Sequence, residues 1–266
     1  MSSSIYTGHL RKMTTSLSSP VEYNLTFSDK EILLNQYLGQ TICLSYTGKI
    51  CCIHCGRKTN KSLNQGYCYP CFKSLAQCDT CIIKPETCHY DQGTCREPEW
   101  AETFCMADHI VYLANSSGVK VGITRANQVP TRWIDQGAIQ ALPVLRVDTR
   151  FRSGQVEDIF KSELADKTNW RKMLKGEVEE VDLLAVKNQV LKGFAEELDL
   201  LRELHGINAC VEIVDVEPIT IKYPVDKYPT KVTSFNFDKT PEVNGELQEI
   251  KGQYLIFDGG VINLRK

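Results

Sequence analysis

The stretch HIVYLANSSGVKVGITR, residues 109–125, decides the fold. Its two ends, His109 to Ala114 and Lys120 to Thr124, are short runs rich in β-branched and aromatic residues. Asn115-Ser116-Ser117-Gly118 between them is a turn signal, so the segment predicts a β-hairpin. Downstream, Pro130 opens a helical turn that holds Arg132 and Trp133 and ends near Gly137. A strand is expected from Leu142 to Val147, followed by an amphipathic helix from Gln155 to Lys167 with Val156, Ile159, Phe160 and Leu164 on one face. Leu183 to Leu204 carries the longest helical pattern, closed by His205-Gly206.

Upstream of the hairpin the cysteines crowd together. Ten of the twelve lie between Cys51 and Cys105, with only Cys43 and Cys210 outside. Cys52-Ile-His-Cys55, twelve residues, then Cys68-Tyr-Pro-Cys71 is a pair of two-residue hooks across a short hairpin, the spacing of a zinc ribbon. Four thiolates at about 2.3 Å complete a tetrahedron around Zn²⁺. A second set follows in Cys78, Cys81, Cys88, Cys95 and Cys105, more thiols than one ion uses. Cys78, Cys81 and Cys88 are expected in a second zinc site closed by either Cys95 or Cys105, with His89 and His109 as weaker substitutes. Such all-thiolate sites are closed and structural. Disulfides need an oxidising compartment, an iron–sulfur cluster suits the paired hooks less well, and a redox CxxC belongs to a βαβ setting. Lys49, Arg57, Lys58, Lys61 and Lys73 surround the first set, interleaved with Tyr67, Tyr69 and Phe72. They form either a phosphate-gripping, base-stacking surface or the cover and soluble rim of a small zinc core.

The 266 residues, 42% of them apolar, can bury a real core. No apolar run approaches the roughly 18 residues of a membrane span, and residues 1–20 lack the pattern of a secretory signal, so a cytoplasmic protein is expected. The net charge of −2 divides into +3 for residues 1–150 and −5 for residues 151–266, which makes the first half the likelier host of a polyanion, though too weakly for charge alone to establish binding. Residues 22–28 and 41–46 alternate like strands. So do CVEIVDVEPITIKYPV from Cys210, KVTSFNF from Lys231, and the QYLIF and VINLRK runs around Asp258-Gly259-Gly260. The β-rich head and tail are expected to pack together as one small sheet or barrel.

The strand pair and helices from Ile110 to about Lys172 resemble the GIY-YIG superfamily of endonuclease-like domains. Ile110-Val111-Tyr112 stands in the GIY place, Lys120 to Arg125 in the YIG place, Arg132 at the arginine of the following helix, and Glu157 at the metal-holding glutamate. The resemblance implies Tyr112, Lys120, Arg132 and Glu157 as catalytic residues with Mg²⁺ or Mn²⁺ at Glu157. Phosphodiester hydrolysis needs such a base, cation and metal together. Position 120 departs from the pattern, lysine replacing tyrosine; a buried lysine would serve as base and an exposed one as a phosphate anchor. Each residue also has a plain structural reading: Tyr112 a packed strand ring, Arg132 a surface cation, Glu157 part of a solvated helix face. The zinc hooks, GTCRE (93–97), RWIDQGA (132–138) and GQYL (252–255) are together similar to an uncharacterised bacterial family that joins a cysteine-rich module to this core.

The expected architecture is α+β: a β-rich segment over 1–50, a zinc module over 51–108, a GIY-YIG-like α/β domain with a helical extension over 109–206, and a β-rich segment over 207–266. The expected function is a zinc-containing protein that binds DNA or RNA through Arg57, Lys58, Lys61, Arg125 and Trp133 and carries a possible Mg²⁺-dependent phosphodiesterase site. The alternatives are a catalytically silent nucleic-acid binder and a module for a protein partner.

Overall fold

Alternation along the strand His109–Asn115 sets the layers. Val111 and Leu113 enter one buried cluster, and Ile110, Tyr112 and Ala114 another. All seven residues are buried, so this strand is covered on both faces. The computed structural model describes residues 5–27 and 30–265. His109–Asn115 pairs antiparallel with Val119–Arg125, from His109 opposite Arg125 to Asn115 opposite Val119. Gln140–Val147 pairs along its other side, with a register shift between Val111 and Tyr112. Val211–Glu212 and Ile219–Thr220 both add to Gln140–Val147, completing a five-stranded sheet with Val119–Arg125 at one edge.

Helices cover the Val111 face. Val156 and Phe160 of Arg150–Phe160, Leu183 and Val190 of Leu183–Gly193, and Leu198 and Leu201 of Ala195–His205 join the strand residues in one core. The first of these helices begins five residues before Gln155, because Thr149 Oγ1 accepts the Arg152 amide at 3.3 Å as its N-cap. The single pattern expected from Leu183 to Leu204 is two helices. Phe194 leaves helical geometry (φ −115°, ψ 25°) and stacks on Phe160 with ring centroids 5.6 Å apart, re-aiming the apolar stripe of the second helix.

The Tyr112 face is covered by the head and tail. Met13, Tyr23 and Leu25 from the head and Leu247, Ile250 and Leu255 from the tail pack on it. Thr41–Ser45 pairs antiparallel with Glu242–Lys251, and Tyr254–Phe257 and Gly260–Asn263 complete a four-stranded sheet. Thr14–Ser16, Glu22–Phe27 and Lys30–Leu33 form a separate three-stranded sheet; residue 28, expected at the end of a strand, lies outside the described residues. The run from Cys210 is strand only at Val211–Glu212 and Ile219–Thr220; between them Asp215 adopts φ 55°, which breaks an extended run. The expected 231–237 strand contributes a single bridge, Ser234 to Val261. No helix of the described residues is long and apolar enough to cross a membrane.

Candidate functional site

The first cysteine set is built by two short turns. Ile50–Cys51 pairs with Lys58–Thr59, and inside that hairpin the Cys52 amide donates to Arg57 O and the Gly56 amide to Cys52 O, each at 2.9 Å. Gly56 takes the left-handed conformation (φ 71°) that closes the hook. The Ile53 amide donates to Gly66 O at 2.9 Å, laying this turn against the second. There Cys68 caps the helix Tyr69–Ser74, and Cys71 stands three residues on, on the same helical face. The four sulfurs of Cys52, Cys55, Cys68 and Cys71 lie within 4.8 Å of one another, close enough to hold a metal ion. Burial raises the Cys52 thiol, but the backbone amides of Cys55, Cys68 and His54 aimed at its sulfur bring it down to about 6, favouring thiolate at neutral pH. Cys71 is pushed up, first by burial and then by the neighbouring sulfurs. Four crowded thiolates repel one another, and a soft divalent cation relieves that repulsion, so the donor set fits zinc.

The hairpin supplies the second constellation. Tyr112 stands opposite Gly122, and its ring lies over that glycine. The Tyr112 hydroxyl donates to Gln136 Oε1 at 3.1 Å. Burial raises its pKa, while Arg132 and Gln136 oppose the rise and Glu157 adds to it. Lys120 is 5% exposed. Burial, reinforced by the Arg132 charge and opposed by Glu157 and Asp166, lowers it to about 8. Glu157 is raised by burial and countered by Lys161, whose Nζ lies 3.4 Å from it. Tyr112 and Lys120 both feel the charges of Arg132 and Glu157.

One of the expected roles needs correction. Trp133, expected at a nucleic-acid surface, is fully buried and meets Tyr112 edge-on with centroids 5.9 Å apart. A one-turn helix lying on the Tyr112 face turns this indole inward. Tyr112 is also fully buried, so its hydroxyl meets Gln136 rather than solvent. Arg125 caps the Phe104 ring, its guanidinium 4.1 Å from the centroid, while Arg57, Lys58 and Lys61 are exposed on the first cysteine hairpin. Gly122→Ala is expected to destabilise the protein by about 1–3 kcal/mol, because a Cβ there would come within 2.7 Å of the Tyr112 hydroxyl and Cζ. Thermal unfolding checks this. If the clash is the cause, Tyr112→Leu should recover part of the loss in the double variant, and strict additivity would exclude the contact.

Residues 39–266 match a family described as a protein of unknown function, DUF2797. The chain belongs to that family. No curated protein and no solved structure matches the chain. The span matched by DUF2797 takes in both cysteine sets, the hairpin and the tail.

Within this DUF2797 chain the second cysteine set is divided differently from its expected membership. Cys78 packs into the first cluster with Cys52, Cys68, Cys71 and Leu75. Cys81, Cys88, Cys95 and Cys105 line one small cavity, so the structure places both Cys95 and Cys105 there. None of the twelve cysteines is disulfide-bonded. Asp79, Cys81 and His89 also bring ligand atoms within 4.8 Å of one another. Sequence reasoning singled out neither Arg150 nor Asp166. Arg150 was hidden because the helix it opens was expected to begin at Gln155.

Proposed function

We propose that this protein is a divalent-metal-dependent phosphodiesterase acting on DNA or RNA, built on a GIY-YIG-like core and stiffened by structural zinc at two sites. What supports the reading is that Tyr112 and Lys120 both feel the charges of Arg132 and Glu157, beside the Tyr112–Gln136 hydrogen bond. Lys120, lowered to about 8 by burial, has a neutral fraction able to take a proton from the attacking water. The water oxygen then bonds to phosphorus, the ester P–O bond breaks, and the leaving oxygen departs with its electron pair. Arg132 neutralises charge on the phosphoryl oxygens. Glu157, with Asp166 near it, would hold Mg²⁺ or Mn²⁺, which when bound polarises the phosphate. Tyr112 keeps Gln136 and Arg132 in place.

In this reading a polyanion binds along an open groove on the face of the head and the first cysteine hairpin. Lys12, Lys49, Lys61 and Arg265 line it together with Tyr67 and Phe235, and the charge of Arg132 reaches Arg265. Cations interleaved with aromatic rings grip phosphates and stack bases. A reducing, cytoplasmic setting suits the unpaired thiols and belongs to the same reading.

Cleavage assays on DNA and RNA with Mg²⁺ or Mn²⁺ test the proposal. Glu157→Ala is expected to lower the rate at least a hundredfold. The rate should climb with pH and level off above about 8, because the neutral lysine is the base and Arg132, Glu157 and Asp166 are the charges that face it. Cleavage that survives Glu157→Ala would overturn the site. The complete burial of Tyr112 favours a second reading, a silent nucleic-acid binder, and binding with no cleavage under any metal would establish that reading instead.

A further inference from the structure

We propose that Cys81, Cys88, Cys95 and Cys105 form a second tetrathiolate metal site, and that its ion clamps the first turn of the helix carrying Glu157. The ligand assignment stands by itself; the importance of the clamp for reaction rests on the reading of Glu157 above. The four cysteines come from separate short elements. Cys81 lies in the turn Thr80–Ile82, Cys88 closes the turn Pro85–Thr87, Cys95 follows Tyr90–Gln92, and Cys105 ends the helix Pro98–Phe104. Among the described residues, none of the buried apolar clusters reaches into residues 79–108. A segment of short turns without a core of its own needs a staple. All four cysteines line a cavity of about 10 Å³, room for one water-sized sphere or one ion.

Asp79 and His89 are the competing ligands, and both are already engaged. Arg96 Nε lies 2.7 Å from Asp79 Oδ2, and Asp79 Oδ1 accepts the Thr80 amide at 2.6 Å. His89 Nδ1 is 2.7 Å from Thr94 Oγ1. Arg96 also donates to the carbonyls of Phe72 and Leu75, and Glu97 accepts the Ala76 amide at 2.6 Å. The GTCRE run thus ties the second cavity to the first cluster through polar contacts, leaving the soft sulfurs for the ion.

The clamp is a set of close contacts between the ligand loops and the helix. The Arg150 amide donates to Cys105 O at 2.7 Å, and its guanidinium donates to Ile82 O. Gly154 lies so near Pro85 and Glu86 that a Cβ would come within 2.6 Å of the Glu86 nitrogen. Ligand loops therefore hold the helix at residues 150 and 154, and Glu157 follows less than one turn later. An all-thiolate site leaves no open position for water, so its contribution is placement.

Metal content per full-length chain, measured by mass spectrometry and by cobalt(II) substitution, tests the assignment without reading cleavage. Wild type is expected to hold two zinc ions. Cys95→Ser should drop to one, while Cys78→Ser and His89→Ala keep two. One ion in wild type would overturn the proposal, as would loss on Cys78→Ser or His89→Ala with Cys95→Ser retaining two. Should Cys95→Ser fail to fold, Cys95→His replaces it: two ions with a cobalt spectrum shifted from four sulfurs toward three sulfurs and one nitrogen supports the site, and an unshifted spectrum overturns it. Hydrogen exchange tests the clamp. In Cys95→Ser, amides of residues 150–157 should exchange at least tenfold faster while residues 58–74 are unchanged; unaltered exchange in the helix would refute the clamp.

Discussion

Cys71→Ser, or removal of the ion by a chelator, is expected to unfold residues 50–75 while leaving the central sheet intact. The buried cluster of this module consists of Cys52, Cys68, Cys71, Leu75 and Cys78, with Tyr67 and Phe72 packed against it. Four of its five buried members are cysteines, so little apolar area remains to offset the entropy of ordering the segment. Structural zinc in comparable small modules contributes about 10–16 kcal/mol, enough to be the difference between an ordered and an unfolded segment. The polar ties to the rest of the chain are few: Arg265 Nε donates to Gln65 Oε1 at 2.9 Å, Asn64 donates to Gln77 O at 3.3 Å, and Arg96 donates to the carbonyls of Phe72 and Leu75. Limited proteolysis would show new cuts between residues 50 and 75 with the 109–265 region still protected. Unchanged protection after loss of the ion would mean that the turns hold themselves. Global unfolding would mean that the module is part of the main core.

Trp133→Ala is expected to cost about 3–5 kcal/mol of stability, the range for removing a buried aromatic side chain. Trp133 is the largest fully buried residue, wedged between Tyr112 and the head and tail residues of the same cluster. Its indole nitrogen has no partner, so Trp133→Phe, which deletes that unsatisfied donor while keeping most of the ring, should cost distinctly less. Denaturant unfolding followed by circular dichroism measures both. A surface role in stacking bases predicts the reverse pattern, normal stability with weakened nucleic-acid binding, and that outcome would remove Trp133 from the core.

The contrast between Trp133 and the hairpin shows what the residues alone reveal. His109–Arg125 is legible because two alternating runs flank a Gly-containing turn, and that pattern fixes both the pairing and the faces. The first cysteine set is legible because paired two-residue hooks across a short hairpin follow the spacing of a zinc ribbon. An aromatic residue in a single helical turn carries no periodicity that marks its inner side, so the burial of Trp133 could not be read. Intervals of six, six and nine residues separate Cys81, Cys88, Cys95 and Cys105. Such spacing does not exclude Cys78, which only packing assigns to the other cluster. Glu242–Lys251 escaped because Gly245 interrupts its run and the register shifts between Leu247 and Glu249, so its apolar residues fall at 243, 247 and 250 rather than on every second position.

Pairing of Thr41–Ser45 with Glu242–Lys251 joins residues about two hundred positions apart. During synthesis, a ribosome working from the N-terminus exposes the first of these strands long before the second exists. The hairpin at 109–125 and the cysteine turns can organise early because their contacts are local, whereas Thr41–Ser45 must wait with unpaired backbone until the tail emerges. The exposed edge is a temporary hazard for aggregation. Its strand, TICLS, has only half-buried apolar positions in the finished fold, a modest stickiness that suits a segment obliged to remain solvated while the remainder of the chain is made.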